Sequence, residues 1–181
     1  MKILAGAQRG HSFLQPPTSG TRPLSDKVRA AIFDVYGSVE ARSVLDVYAG
    51  SGAAGFEALS RGASQVEAIE ANARVGRVIE QNAVTLGYDW GYSLRIVTLA
   101  SWLARPGNEP TPRYDLIIAD PPYASLEPDL LERLIGFLVA DGVLVVSHTS
   151  KQTSPHLAAA ELVKAKVYGD TALSFYCRPA A

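Results

Sequence analysis

The sequence predicts an α/β fold: one domain built on a mostly parallel, doubly wound sheet with helices on both faces, preceded by a small hairpin. Three observations carry this. From residue 43 onward short apolar runs alternate with segments of helical period, the signature of successive strand–helix units. Leu116-Ile117-Ile118-Ala119 is apolar without alternation, as in a strand buried on both faces of a parallel sheet. A glycine-rich loop, Ala49-Gly50-Ser51-Gly52, directly follows the first such run and opens a helix. At 181 residues and 48% hydrophobic, the chain fills one core and is too short for two full domains. Residues 1–24 read as an extension and 25–181 as the main domain.

In the extension, Lys2-Ile3-Leu4-Ala5 and Ser12-Phe13-Leu14-Gln15 are strand-like pieces flanking Gln8-Arg9-Gly10, a hairpin. Pro16-Pro17-Thr18-Ser19-Gly20 and Arg22-Pro23 continue it as a loop. A helix then starts at Ser25, whose hydroxyl can cap it, with Asp26 favourable in the first turn. Val28, Ala31, Ile32, Val35 and Tyr36 recur at helical spacing and Gly37 ends the helix. Strands are expected at 43–48, 66–70, 94–98, 115–120 and 143–147. Helices are expected from the glycine loop through Arg61, over 71–86 closed by Gly87, and over 126–139, the last stopped by Asp141-Gly142. Two strand-like pieces, 162–167 and 172–177, flank Tyr168-Gly169-Asp170-Thr171 and form a closing hairpin.

Composition excludes several classes. The single Cys177 allows no intramolecular disulfide and no thiolate cluster, which fits a reducing cytoplasm. His11, His148 and His156 show no ligand spacing, so no metal is expected. No apolar run approaches the ~20 residues of a membrane span, and the first residues lack a signal-peptide h-region, so a soluble cytoplasmic protein without a membrane partner is expected. The net charge is −1, yet Lys2, Arg9, Arg22, Lys27 and Arg29 face only Asp26 within the first thirty residues. A local basic patch on a neutral body suffices for phosphate contact.

The segment from Val44 to Gly55 carries a ligand signal. Gly50 and Gly52 let the backbone approach a ligand closely, and Gly55 permits tight helix–strand packing. Glu70, twenty residues past Gly50, stands where an acid ending the second strand can accept from ribose hydroxyls. This spacing serves NAD as well as S-adenosyl-L-methionine. Asp46 tips the balance toward the latter, because a carboxylate in the first strand can orient the loop and lie near a cationic amino-acid moiety or sulfonium. A dehydrogenase would also need a second, substrate-holding domain. Asp46, Tyr48, Ala49, Gly50, Ser51, Gly52 and Glu70 are therefore the candidate cofactor-binding residues.

Asp120-Pro121-Pro122-Tyr123 follows the fourth strand. The two prolines donate no backbone hydrogen bond and force a stiff, extended exit from the sheet. A carboxylate beside free carbonyls is an acceptor-only surface, which suits an exocyclic NH2 group that must be oriented before it attacks. The Tyr123 ring offers a planar base a stacking partner, worth roughly 1–3 kcal/mol. These four residues read as the catalytic elements of an amino-group methyltransferase.

Together these stretches resemble the bacterial RsmD-type family of 16S ribosomal RNA guanine-N2-methyltransferases, which modify guanine 966. The resemblance spans Ile3-Leu4-Ala5-Gly6 with Arg9-Gly10, Gly20-Thr21-Arg22-Pro23, Asp26-Lys27-Val28-Arg29 with Phe33, and Leu45 to Gly52. It continues through Glu57-Ala58-Leu59-Ser60-Arg61-Gly62-Ala63, Asp120 to Tyr123 and Tyr168-Gly169-Asp170-Thr171. It implies a Rossmann-like seven-stranded class I methyltransferase fold, S-adenosyl-L-methionine as donor, and an amino-terminal hairpin that helps dock RNA; Arg9, Arg22, Lys27 and Arg29 are the candidate RNA contacts. The implied partner of this monomer is 16S rRNA or the small ribosomal subunit. The chain departs from the family at Leu24-Ser25, in place of a Thr-Thr pair, and at Ala30, in place of Glu. Thr98-Leu99-Ala100-Ser101 replaces an Asp-Ala pair that contacts adenine, which leaves Ala100 and Ser101 as candidates there, and Ser147-His148-Thr149 lacks the usual acid.

The same residues leave other readings open: methylation of adenine N6 or of a protein glutamine, a non-catalytic RNA-binding or assembly homologue, and, more distantly, an NAD-dependent enzyme.

Overall fold

The computed structural model describes residues 1–17, 24–111, 113–122 and 126–179. Strands β1 (Ser43–Val47), β2 (Gln65–Glu70), β3 (Tyr92–Ile96), β4 (Tyr114–Ala119), β5 (Leu138–Thr149), β6 (Glu161–Tyr168) and β7 (Thr171–Cys177) form one seven-stranded sheet in the order β3-β2-β1-β4-β5-β7-β6. The first five strands in that order are parallel, and β7 runs antiparallel between β5 and β6. Helices α1 (Asp26–Tyr36), α2 (Ala53–Ser60) and α3 (Ala73–Thr85) cover one face, and α4 (Leu99–Leu103) and α5 (Pro128–Ile135) the other.

Strand periodicity explains why both faces are apolar. Val44, Leu116 and Ile118 point to the α1–α3 side, whereas Leu45, Val47, Ile117 and Ala119 point to the α4–α5 side. The doubly wound sheet expected from the sequence is thus present. Ser25 caps α1, its hydroxyl accepting from Val28 N at 3.3 Å, and Gly37 N closes the helix on Phe33 O at 2.8 Å. Among the described residues, no helix is long and apolar enough to cross a membrane.

Several boundaries differ from expectation. β3 starts at Tyr92 rather than 94, because the strand continues backward beside Val66. The helix expected over 126–139 is shorter: Pro128 sits in its first turn, where a missing N–H costs nothing, and Gly136 ends it. Val139 and Asp141 belong to β5, whose pairing with β4 slips between Tyr114 and Leu116. Helix α4 has only five residues, too few to show a period in the sequence, and is an addition to the expected elements.

The amino-terminal hairpin is real but minimal, with a single antiparallel bridge between Lys2 and Ser12 and with Ile3 N bonded to His11 O. It does not stand apart from the body. Ile3 and Phe13 are buried, Phe13 meeting Phe56 edge-on at 5.5 Å. Glu57 of α2 accepts from Leu4 N at 2.8 Å and Ala5 N at 3.0 Å, while the Ser60 hydroxyl donates to Ala5 O at 2.6 Å and accepts from Gln8 N at 3.0 Å. At Gly6, with φ of 82°, an added Cβ would lie 1.7 Å from Ser60 O, so only glycine lets the turn approach the helix end.

Candidate active site

Sheet order reverses between β1 and β4, because the chain builds outward from β1 to β3 before placing β4 on the other side of β1. Loops leaving such a strand pair diverge and open a crevice at the carboxyl edge. Registers bring the strand ends level: Val47 pairs with Ile69 and Ala119, Glu70 with Ile96, and Ala119 with Val146. The glycine loop, Glu70, Asp120 and Ser147 therefore converge on one edge.

The loop after β1 is held by its own backbone and by Glu70. Ala49 N donates to Ile69 O at 2.9 Å, Gly52 N to Ala49 O at 2.8 Å, and Gly50 N to Glu70 Oε2 at 2.9 Å. Tyr48 and Gly50 take φ of 62° and 57°, which turns the loop sharply. A Cβ on Gly50 would meet nothing nearer than Tyr48 O at 3.8 Å, so open space lies beside the loop. Glu70 Oε1 also accepts from Asn72 N at 2.8 Å. A carboxylate offers about four acceptor positions, so two remain for hydroxyl groups of a ligand.

Asp46 is 3% exposed, and its Oδ2 accepts from Gly55 N at 3.0 Å. Gly55 is the packing glycine, since an added Cβ would lie 2.7 Å from the Tyr92 ring. No cation reaches Asp46 among the described residues. Burial, reinforced by the charges of Asp120 and Glu70 and opposed by the Gly55 hydrogen bond, pushes its carboxyl up to about 8. A cation bound in the crevice would relieve that penalty. The residues present thus suit a ligand carrying both a positive centre and a ribose.

Asp120 follows β4 directly, its N–H bonded to Val47 O at 3.3 Å. Burial pushes its carboxyl up to about 6, against a hydrogen bond from the Ser147 hydroxyl on neighbouring β5. At neutral pH it is mainly an ionised acceptor. Pro121 is buried and Pro122 exposed; Tyr123 lies outside the described residues. Thr98 caps α4, its Oγ1 accepting from Ser101 N at 3.1 Å and donating to Ser101 Oγ at 2.8 Å. The Ser101 amide is therefore spent on the cap, and the first-turn amides of Leu99 and Ala100 have no acceptor within the helix.

The four expected RNA contacts divide. Arg9 and Lys27 are exposed without an ion-pair partner among the described residues, and Arg22 lies outside those residues. Arg29 is a correction: it is 0% exposed, donating to Lys2 O at 2.6 Å and Asp26 at 3.0 Å and lying 3.8 Å from Glu57. It anchors the hairpin from within and cannot reach RNA. Sequence reasoning gave no role to Ser147 or to Glu57. Ser147 sits at the end of the strand next to Asp120, a relation that sheet order alone creates.

Known proteins resemble the chain over almost its whole length. A family profile described as conserved hypothetical protein 95 matches residues 1–177. The chain is 32% identical over 190 residues to ribosomal RNA small subunit methyltransferase D of Escherichia coli strain K12, covering 99% of this chain and 91% of that protein. The solved structure of yhhF from Escherichia coli superposes with a TM-score of 0.87 at 30% identity, covering 100% of this chain and 99% of that one. A structure described as a methyltransferase, SMU.776, complexed with SAH superposes at TM-score 0.68, covering 84% of this chain and 49% of that one. At 13% identity that last likeness shows the fold alone.

Proposed function

The chain belongs to the ribosomal RNA small subunit methyltransferase D family, and from that premise we propose that it methylates the exocyclic N2 of a guanine in 16S rRNA, guanine 966 by resemblance. On this reading it is an S-adenosyl-L-methionine-dependent rRNA methyltransferase. The observation that carries the finer reading is the meeting, at one sheet edge, of a buried carboxyl that no cation reaches among the described residues, Asp46, with an acceptor-only exit at Asp120.

Asp46 and the Tyr48 to Gly52 loop would hold the amino-acid and sulfonium end of the cofactor, Glu70 its ribose, and the start of α4, at Ala100 and Ser101, its adenine. When bound, S-adenosyl-L-methionine supplies a methyl group activated by the positive sulfur. The target guanine is turned out of its stack, at a cost of a few kcal/mol, and lies against Tyr123 in this reading. Asp120 and the Pro121 carbonyl accept from the two N2 hydrogens and so aim the nitrogen lone pair. As the nitrogen gains positive charge, the Asp120 carboxylate, held in place by the Ser147 hydroxyl, stabilises it. The methylated nitrogen then gives up one of its protons, with the donor left as a neutral thioether. Arg9, Arg22 and Lys27 contact phosphate. The protein works as a cytoplasmic monomer on the small ribosomal subunit or its RNA.

The test is transfer of labelled methyl to small ribosomal subunits and 16S rRNA lacking the modification, followed by nucleoside analysis. N2-methylguanosine at one position is expected. N6-methyladenosine, or label in ribosomal protein, would overturn the guanine assignment.

A further inference from the structure

β6 is the last strand of the sheet, and its outer edge pairs with nothing among the described residues. Beyond the irregularity between Leu162 and Lys164, the residues Lys164, Lys166 and Tyr168 lie opposite Phe175, Leu173 and Thr171 of β7. Directly opposed residues of an antiparallel pair share a face, so the two lysines and the tyrosine project together. Phe175 and Leu173 belong to the core beneath α1, which makes this the α1 side of the sheet. From α1 itself Lys27 Nζ stands 5.9 Å from the centroid of the Tyr168 ring. A groove of about 470 Å³ separates helix and strand, lined by Val35, Tyr36, Val163, Lys164 and Phe175, with Asp141 and Arg42 also on its wall.

Position and charge give the groove a direction. Tyr168 pairs with Thr171, and Thr171 with Thr149 at the carboxyl end of β5. The strip therefore begins at the same sheet edge as Asp120, two strand positions along from Ser147, and runs away from it along the sheet margin. Lys164 and Lys166 are spaced about 6.7 Å along the strand. Lys27, Lys164 and Lys166 are exposed, and none forms an ion pair among the described residues, whereas Arg42 is occupied by Asp115 at 2.8 Å. Three unneutralised cations with an aromatic ring at the near end suit a polyanion that carries bases.

We propose that Lys27, Tyr168, Lys166 and Lys164 form a track for the sugar-phosphate backbone of the RNA, leading from the catalytic crevice along the groove between α1 and β6. This rests on the reading that ribosomal RNA is the substrate. It extends the RNA interface beyond the amino-terminal hairpin to the opposite end of the chain.

The test is the double variant K164Q/K166Q, assayed beside the unaltered protein on unmodified 16S rRNA. Removing one lysine–phosphate ion pair lowers the slope of log affinity against log salt by about 0.7–0.9. The double variant should therefore have a slope shallower by about 1.5 and show a several-fold higher KM for RNA. Its kcat and its affinity for S-adenosyl-L-methionine should change by less than about twofold. K27Q should lower the slope further. An unchanged slope and KM in an active double variant would overturn the track. So would an unchanged slope with new dimers in sedimentation, because lysines on an edge strand also block edge-to-edge pairing. If the unaltered protein transfers no methyl to rRNA while binding cofactor, the substrate reading falls, and the track falls with it.

Discussion

Glu57 and Asp46 are both buried acids on the α2 side of the sheet, and they are served in opposite ways. Glu57 is 0% exposed and accepts from two backbone amides of the hairpin and from Arg61 at 2.9 Å, with Arg29 3.8 Å away. Asp46 is 3% exposed and, among the described residues, has one amide, from Gly55, and no cation. A carboxylate compensated on all sides fixes architecture, here the seating of the hairpin on α2. One left short of positive charge is costly to keep ionised, and its natural completion is a cationic ligand. The contrast separates what holds this protein together from what it holds.

Removing the compensated acid should have the largest effect. Glu57→Ala removes one of the two acids beside Arg29, whose Nε and Nη1 lack hydrogen-bond acceptors among the described residues, and takes two acceptors from the hairpin. A loss of about 3–5 kcal/mol in urea unfolding is expected, and a loss below about 1 kcal/mol would erase the distinction. Next comes the acceptor at the reaction centre. Asp120→Ala should lower kcat by about 10²–10³-fold with cofactor affinity within a few-fold, the pattern of a group needed by the transition state rather than for binding. Retained turnover would remove Asp120 from the chemistry.

Asp46 sharpens the comparison through pH. Its folded carboxyl is raised to about 8 from 3.8, so between those values the folded state keeps a proton that the unfolded state releases. Stability of the cofactor-free protein should therefore fall as pH rises from about 4 to about 8. Asp120, raised to about 6, adds the same sign over a shorter window. Asp46→Asn should flatten the thermal-unfolding profile across pH, and a profile identical to that of the unaltered protein would mean that Asp46 is not the group responsible. The smallest effect belongs to Glu70→Ala, which loses the tether to Gly50 and the acceptors offered to a ribose. Cofactor affinity measured by calorimetry should weaken by about 1 kcal/mol, and unchanged affinity would detach Glu70 from the cofactor.

Much of the site is legible in the sequence because it is local. The glycine loop, Glu70 and the Asp120 exit each lie at a strand end that periodicity marks, and in a parallel sheet those ends share one edge. Elements with weak local signals are the ones that depart from expectation. Pro128 and the left-handed Asp141, at φ of 59°, move the boundary between α5 and β5, and α4 depends on a cap at Thr98 with too few residues to show a period.

By itself the sequence determined the sheet, its two covered faces and the chemistry offered at the carboxyl edge, because burial patterns, glycine turns and proline exits act over a few neighbouring residues. Only the tertiary structure decided which charges are free to act. Arg29 and Lys27 are two residues apart in one basic stretch. Arg29 is consumed by Lys2 O and Glu57, from distant parts of the chain, while Lys27 stands over Tyr168 at the far end of the sequence. Whether a charge faces solvent or a buried partner is settled by contacts between segments far apart in the chain, and no local pattern of residues encodes them.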